Sequence, residues 1–295
     1  SYVLTGYLRH NRRSSEAALK YLIYGGVASG TMIYGMSWIF GLTGSLDYVE
    51  INTALLQGTP DHLTLFIALV LMLAGFGYKI AAVPFHMWAP DVYEGAPIPI
   101  TAFLSVGSKA AGFALLMRFF YPALSQTGDA GAWQFVPGVE WPQLMLIVAM
   151  ATMTLGNLAA LNQDNVKRLL AYSSIAHAGY ILMGFVVLSD EGLRAMLFYI
   201  VVYYLMNLGA FIVVMVVANN TGREDMASFR GLAWRGGALP AIAMAIFLFS
   251  LTGLPPLAGF IGKFYLFAAV IKGQFYYLAV VGILNSVVSL YYYAR

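Results

Sequence analysis

The sequence predicts an all-α polytopic membrane protein, and three observations carry that prediction. Of 295 residues, 60% are hydrophobic and only 10% are charged, whereas an ordinary soluble domain is about 25% charged. Apolar stretches long enough to cross roughly 30 Å of hydrocarbon recur from one end to the other. The basic residues gather in loops on alternate sides of those stretches, as membrane topology requires. A mean hydropathy of +0.75 leaves a soluble core of this length no means of burying its apolar surface, so the bilayer is the natural solvent.

The expected spans are 17–42, 63–88, 98–121, 144–161, 166–188, 193–218, 239–271 and 275–293, with a ninth, partial one ending near Leu8. Residues 1–295 read as one transmembrane domain. The connections 47–61, 127–142 and 219–235 are rich in Gly, Pro, Asn and Asp and read as loops, with a short surface helix expected over 224–234. No secretory signal is read at the start. Both ends read as cut, so an internal piece of a longer protein is expected.

Alternating the spans puts Arg9, Arg12, Arg13, Lys20, Lys167, Arg168, Arg223, Arg230, Arg235 and Arg295 on one side, here side A. Arg118, Arg194 and Lys272 fall on side B. Ten against three makes side A cytoplasmic. The remaining basic residues, Lys79, Lys109 and Lys263, lie inside spans.

Two spans are unusual. The 239–271 stretch carries Gly253, Pro255, Pro256, Gly259 and Gly262 and is expected to break near its middle; 63–88 carries Gly75, Gly77 and Pro84. A pair of Gly/Pro-interrupted spans crossing in opposite directions is the sequence mark of an inverted-repeat transporter. Their separation suggests a repeat of five helices. The alternative is that Gly and Pro are simply frequent in membrane helices.

Lys109 stands about twelve residues into its span, too deep to snorkel, and a charge at that depth costs about 2.5–3.5 kcal/mol on insertion scales. It must face the protein interior or a wet cavity, where a lysine can gain and lose its proton near neutrality and an arginine cannot. No carboxylate lies in a span at comparable depth, so a purely structural ion pair would need a partner from elsewhere. Lys79 precedes Pro84, which frees backbone carbonyls; the competing reading is a lysine snorkelling to side A. Lys263 follows the expected break at 253–262 and competes with a side B interface position. His177, near mid-bilayer, has Tyr172, Ser173 and Ser174 beside it to supply hydroxyls for a water chain. His86, Asp91 and Glu94 fall in a loop on side A and read as structural or as a proton entry. Lys167 and Arg168 read as a topology anchor.

Other chemistries are excluded or unsupported. No cysteine is present, so this sequence offers no thiol catalysis, disulfide or cysteine-ligated iron–sulfur cluster. There is no phosphate-binding loop. The four histidines show no metal spacing. A net charge of +3 points to no nucleic-acid partner.

The run Trp88-Ala-Pro-Asp-Val-Tyr-Glu-Gly-Ala-Pro97, preceded by Pro84-Phe-His86, resembles a signature of the antiporter-like membrane subunits of respiratory complex I. Glu16-Ala-Ala-Leu-Lys-Tyr21, Asn165-Val-Lys-Arg-Leu-Leu-Ala-Tyr-Ser-Ser174 and Gly259-Phe-Ile-Gly-Lys-Phe264 are also similar. Within that family the 91–97 run resembles the N type of the bacterial NADH-quinone oxidoreductase rather than the L type. Lys263, where the M type carries Glu, argues against M. The resemblance implies a fourteen-helix fold with two inverted five-helix repeats, of which residues 1–121 end the first and 144–295 form the second. It also implies that Lys79 and Lys263 are the lysines of the two broken helices and Lys109 the connecting lysine. A glutamate partner of Lys79 is expected just upstream of Ser1.

The implied function is proton translocation without a redox centre on this chain. NADH, FMN, iron–sulfur clusters and quinone are expected on other subunits. The implied partners are other membrane subunits and lipid, in a bacterial inner membrane. The rival readings are an Mrp-type sodium/proton antiporter subunit and a non-transporting scaffold subunit.

Overall fold

A computed structural model describes residues 1–8, 10–58, 61–128, 132–138 and 140–295. Arg9, counted above on side A, lies outside the described residues. Helices stand at all eight expected spans, after a short α1 (Tyr2–Thr5). They are α2 (Arg12–Thr43), α4 (His62–Ile80) with α5 (Trp88–Gly95), α6 (Ile98–Phe103) continuing into α7 (Lys109–Leu124), α8 (Trp141–Ala160), α9 (Val166–Val186), α10 (Asp190–Thr221), α11 (Ala238–Thr252) with α12 (Ala258–Lys272), and α13 (Tyr276–Ala294). Six of them, α4, α6–α7, α8, α9, α10 and α13, are long and apolar enough to cross a membrane by length and composition. Alpha2 is longer than most of these but is diluted by Gly, Ser and Tyr; α11 and α12 are the two halves of one interrupted span.

The starts of these helices follow from their caps, since the first N–H groups of a helix need outside acceptors. Asn11, Asp61, Asn165 and Ser189 each accept a hydrogen bond from a backbone N–H of the first turn of α2, α4, α9 and α10. The exterior is as apolar as the interior, and the largely apolar interior encloses a minority of polar groups. Val27, Ile33, Val201, Leu205, Leu284 and Val287 face outward, while Lys, His, Ser and Asn side chains are enclosed. An apolar exterior around a few enclosed ionisable side chains is what a bilayer selects.

Alpha9 sits at the centre, against α5, α8, α10, α12 and α13, with nearly every residue buried. Gly156 of α8 lets the two backbones approach, because a Cβ there would stand 2.6 Å from the Ala176 backbone nitrogen. Both expected breaks are present. Alpha4 ends at Ile80 with Ala81 left-handed, and the chain re-enters helix only at Trp88. Alpha11 ends at Thr252 with Gly253 left-handed, and α12 begins at Ala258. Irregular backbone at membrane depth needs internal partners. At the first break Val83 N donates to Thr152 Oγ1 (3.0 Å) and Trp88 Nε1 to Tyr78 O (2.9 Å). At the second, Gly259 N donates to Ser250 Oγ (3.1 Å).

The sidedness read from the basic residues is matched by contacts. Lys167 pairs with Glu224 and Arg295 with Asp164 on side A, whereas Lys272 pairs with Glu191 on side B. Several expectations need correction. The 47–61 connection holds a ten-residue helix, α3 (Tyr48–Gln57), capped by Asp47 and anchored by buried Ile51 and Leu55. The 127–142 connection adds a small hairpin, β1 (Ser125–Thr127) against β2 (Trp133–Phe135), to an otherwise helical chain. The helix expected over 224–234 is two single 3₁₀ turns, Met226–Phe229 and Leu232–Arg235, because Gly231 and Gly236 take left-handed φ. Asp91 and Glu94 lie on α5, not in a loop.

A buried polar line through the bundle

Lys109 begins α7 directly after a π-helical turn, Leu104–Ser108. Its ammonium is 2% exposed as a residue and donates to Ser174 O on α9 (2.7 Å). Ser174 Oγ in turn meets Tyr93 Oη from α5 (3.2 Å). One helical step away on α9, Ser173 Oγ is hydrogen-bonded to Tyr293 Oη from α13. Tyr293 Oη also reaches His177 Nε2 (3.3 Å), and His177 Nδ1 meets Tyr199 Oη from α10 (2.8 Å). Both ring nitrogens of His177 are therefore engaged by hydroxyls, and hydroxyls accept and donate with equal ease. Tyr203 lies over the same ring, with centroids 5.2 Å apart.

Lys263 lies at the far end. Its ammonium donates to Thr252 O (2.8 Å), the last residue of α11, and to Ser286 Oγ (3.1 Å). It sits 4.3 Å from the centroid of the Tyr180 ring, a cation–π contact. Ser286 Oγ is hydrogen-bonded to Tyr180 Oη (3.1 Å), and the Tyr180 and His177 rings are 5.6 Å apart. Ser174, His177 and Tyr180 succeed one another at helical spacing, so one face of α9 carries the line from Lys109 to Lys263.

Lys79, near the end of α4, is only partly buried and has no ion-pair partner among the described residues. Its stem passes beside α7, where a Cβ on Gly112 would stand 2.9 Å from Lys79 Cγ. It thus approaches Lys109 across one turn of α7. The buried lysines at 109 and 263 take backbone carbonyls and hydroxyls as partners, not carboxylates. A carbonyl stabilises an ammonium through its dipole but cannot titrate with it, so either amine can change charge without breaking an ion pair. Several buried polar atoms near this line have no protein partner: Ser108 Oγ, Tyr203 Oη, Asn207 Oδ1 and His86 Nδ1. Each has hydrogen-bonding capacity for water.

Spacing alone picked out Lys79, Lys109, His177 and Lys263, and also Ser173 and Ser174. Tyr172 takes no part in the line. The tyrosines at 93, 180, 199 and 293 and Ser286 were not singled out, although hydroxyls deep in apolar spans were the available signal. Lys167 reads from the sequence as a topology anchor, yet it is only 2% exposed and donates to Ala96 O (2.8 Å) and Glu224 Oε1 (3.0 Å). Arg168 bridges Asp91 (2.7 Å) and Glu94 (3.0 Å), and Lys20 completes the cluster on Asp91 (2.7 Å), so this part of side A is an ion-pair network tying α5 to α2 and α9.

A helical bundle with two interrupted spans and buried lysines on one polar line is the architecture of an antiporter-like membrane protein. Residues 1–289 match the family described as NADH:quinone oxidoreductase/Mrp antiporter, transmembrane, and the chain belongs to that family. It is 60% identical over 305 aligned residues to NADH-quinone oxidoreductase subunit N 2 of Sorangium cellulosum, covering all of this chain and 59% of that protein. The chain therefore spans about three fifths of the length of that relative. Among solved structures, a chain of respiratory complex I from Thermus thermophilus with bound aureothin superposes with a TM-score of 0.80 at 35% identity, over 99% of this chain and 60% of that one. A chain of the Mrp complex from Dietzia sp. DQ12-45-1b gives a TM-score of 0.79 at 22% identity, over 96% of this chain and 50% of that one, a likeness of fold alone.

Proposed function

We propose that this chain is part of a proton-translocating membrane subunit of a bacterial NADH-quinone oxidoreductase, of the N type. The observation that carries the reading is the row of buried titratable and hydroxyl groups along α9 between Lys109 and Lys263: Lys109 on the Ser174 carbonyl, Ser173, Tyr293, His177 and Tyr199 linked by hydrogen bonds, and Tyr180, Ser286 and Lys263 linked beyond a 5.6 Å ring contact between His177 and Tyr180. Lys79 delivers protons to or receives them from Lys109, and His177 passes them onward to Lys263. Residues 1–121 and 144–295 belong to two inverted five-helix repeats, which places the two breaks at equivalent positions. Side A faces the cytoplasm. Quinone reduction, with NADH, FMN and iron–sulfur clusters, takes place on other subunits, and this chain couples to it by changes in lysine charge.

The test is Lys109→Ala in the full-length chain, assembled in its complex in membrane vesicles. Turnover coupled to pumping is expected to fall to near zero with assembly retained. Proton transfer near the unmodified rate would refute the relay. Sodium-dependent exchange without NADH or quinone would favour the Mrp reading, but the relatives at high identity carry quinone oxidoreductase names.

A further inference from the structure

We propose that the Lys167–Glu224 pair is the gate through which protons enter this relay from side A. The inference rests on the relay described above and adds its mouth. A lysine that serves only as a topology anchor belongs in headgroups or water, as exposed Arg223 and Arg230 do. Both members of the pair line an open cleft of about 690 Å³ on side A, but Lys167 is only 3% exposed in its side chain, against 31% for Glu224. The pair thus has one wet member and one dry member.

A ladder of buried hydroxyls leads inward from the dry member. Lys167 Nζ donates to Ala96 O; Thr101 Oγ1 also reaches Ala96 O (3.4 Å) and Tyr93 O (3.1 Å). Ser105 and Ser108 follow at one-turn intervals, all three buried, and Lys109 comes next. Asn207 donates to Ser105 Oγ (2.7 Å), and the unpartnered Asn207 Oδ1 and Ser108 Oγ stand on this stretch. A second rail runs up α9, where Ser174 lies two turns, roughly 10.5 Å, beyond Lys167.

The proton balance closes on named groups. A proton from side A water neutralises the Glu224 carboxylate. Lys167, now an enclosed ammonium without its paired carboxylate, passes its proton inward to neutral Lys109. The Glu224 acid then returns its proton to Lys167, and the ion pair is restored. One proton has moved from side A to Lys109, with no net change at the gate. Among the described residues, the other charged groups facing the pair are Arg13 on α2, Asp91 and Glu94 on α5, Arg168 on α9, and Arg223 and Asp225 in the α10–α11 connection. Arg13 and Arg168 are satisfied by Glu94 and Asp91, which leaves Lys167 to Glu224.

The experiment uses the full-length chain in its assembled complex in inside-out vesicles, where side A faces the bath. Glu224→Gln keeps the shape and a hydrogen-bonding partner but removes the titrating group. Its pumping rate is expected to stay within about twofold of the unmodified protein at bath pH 6 and to fall roughly tenfold at pH 8. Glu224→Asp should restore most of the loss, and it serves as the test if the Gln variant fails to assemble. Variation of the lumenal pH should not reproduce the effect. A purely structural role lowers assembly without moving the bath-pH profile. If Lys109→Ala abolishes pumping while Glu224→Gln keeps the unmodified bath-pH profile, the gate is wrong and the relay stands. If Lys109→Ala pumps normally, both fall.

Discussion

The second helix break tolerates nothing larger than glycine at its tightest point. In Gly259→Ala the new methyl would press on the Ser250 carbonyl, 2.7 Å from its carbon and 3.0 Å from Met206 Sδ. Ordinary contact begins near 3.4 Å, the obstacle is backbone, and the Ser250 oxygen is nearer still than its carbon, so α12 must retreat by more than the roughly 0.7 Å that the carbon alone requires. Lys263 lies one turn further along the same helix and moves with it. Its 2.8 Å hydrogen bond to Thr252 O stretches beyond about 3.5 Å, the limit of a useful bond. Overpacking of this kind costs about 1–3 kcal/mol and loss of a hydrogen bond to a charged group about 1.5–3 kcal/mol. Together these give a destabilisation of roughly 2.5–6 kcal/mol. The assay is thermal unfolding of the purified complex alongside proton pumping in vesicles, with Gly26→Ala and Gly30→Ala as controls, since a Cβ at either meets nothing within 4 Å. A Gly259→Ala protein as stable and as active as those controls would refute the account of the break.

Two further effects follow from the same contacts. Asn157 donates to Asn285 Oδ1 (3.1 Å) and accepts from Tyr292 Oη (2.9 Å), joining α8 to α13; Asn157→Leu strands both partners and should cost about 1–3 kcal/mol in unfolding of the detergent-solubilised protein. Asp61, capping α4, is held below the usual carboxylate range by its hydrogen bond from the Thr64 hydroxyl. Its charge therefore contributes stability above the unfolded carboxylate pKa of about 3.9, and that contribution is lost as pH falls through the lower folded value. An Asp61→Asn difference in melting temperature should be present at pH 7 and vanish in strong acid, and a difference that grows on acidification would contradict the cap.

What the sequence made legible was depth. Counting residues from span ends placed Lys109 and His177 mid-bilayer, and Gly253, Pro255 and Pro256 marked the second break, because both readings depend on local spacing alone. The partners that enclose these groups are not legible. Tyr293 meets His177 across 116 positions and Glu224 meets Lys167 across 57, and no periodicity encodes such partners. Lys167 looked like its neighbour Arg168 for that reason. The two differ by one helical step, enough to turn one side chain inward beneath α5 and the α10–α11 connection and leave the other at the rim. Alpha3 was missed because ten residues with two buried positions, Ile51 and Leu55, are too short to show a period.

Alpha9 has the carrying face of the line and almost no surface of its own. The lipid meets α2, α10 and α13, whose outward residues are Ile, Leu, Val and Tyr. A change in acyl length or sterol content acts on those outer helices first. The α9 side of the polar strip is shielded from it, while Tyr199 on α10 and Tyr293 and Ser286 on α13 ride on the helices that lipid reaches, so bilayer thickness bears on the strip through those hydroxyls.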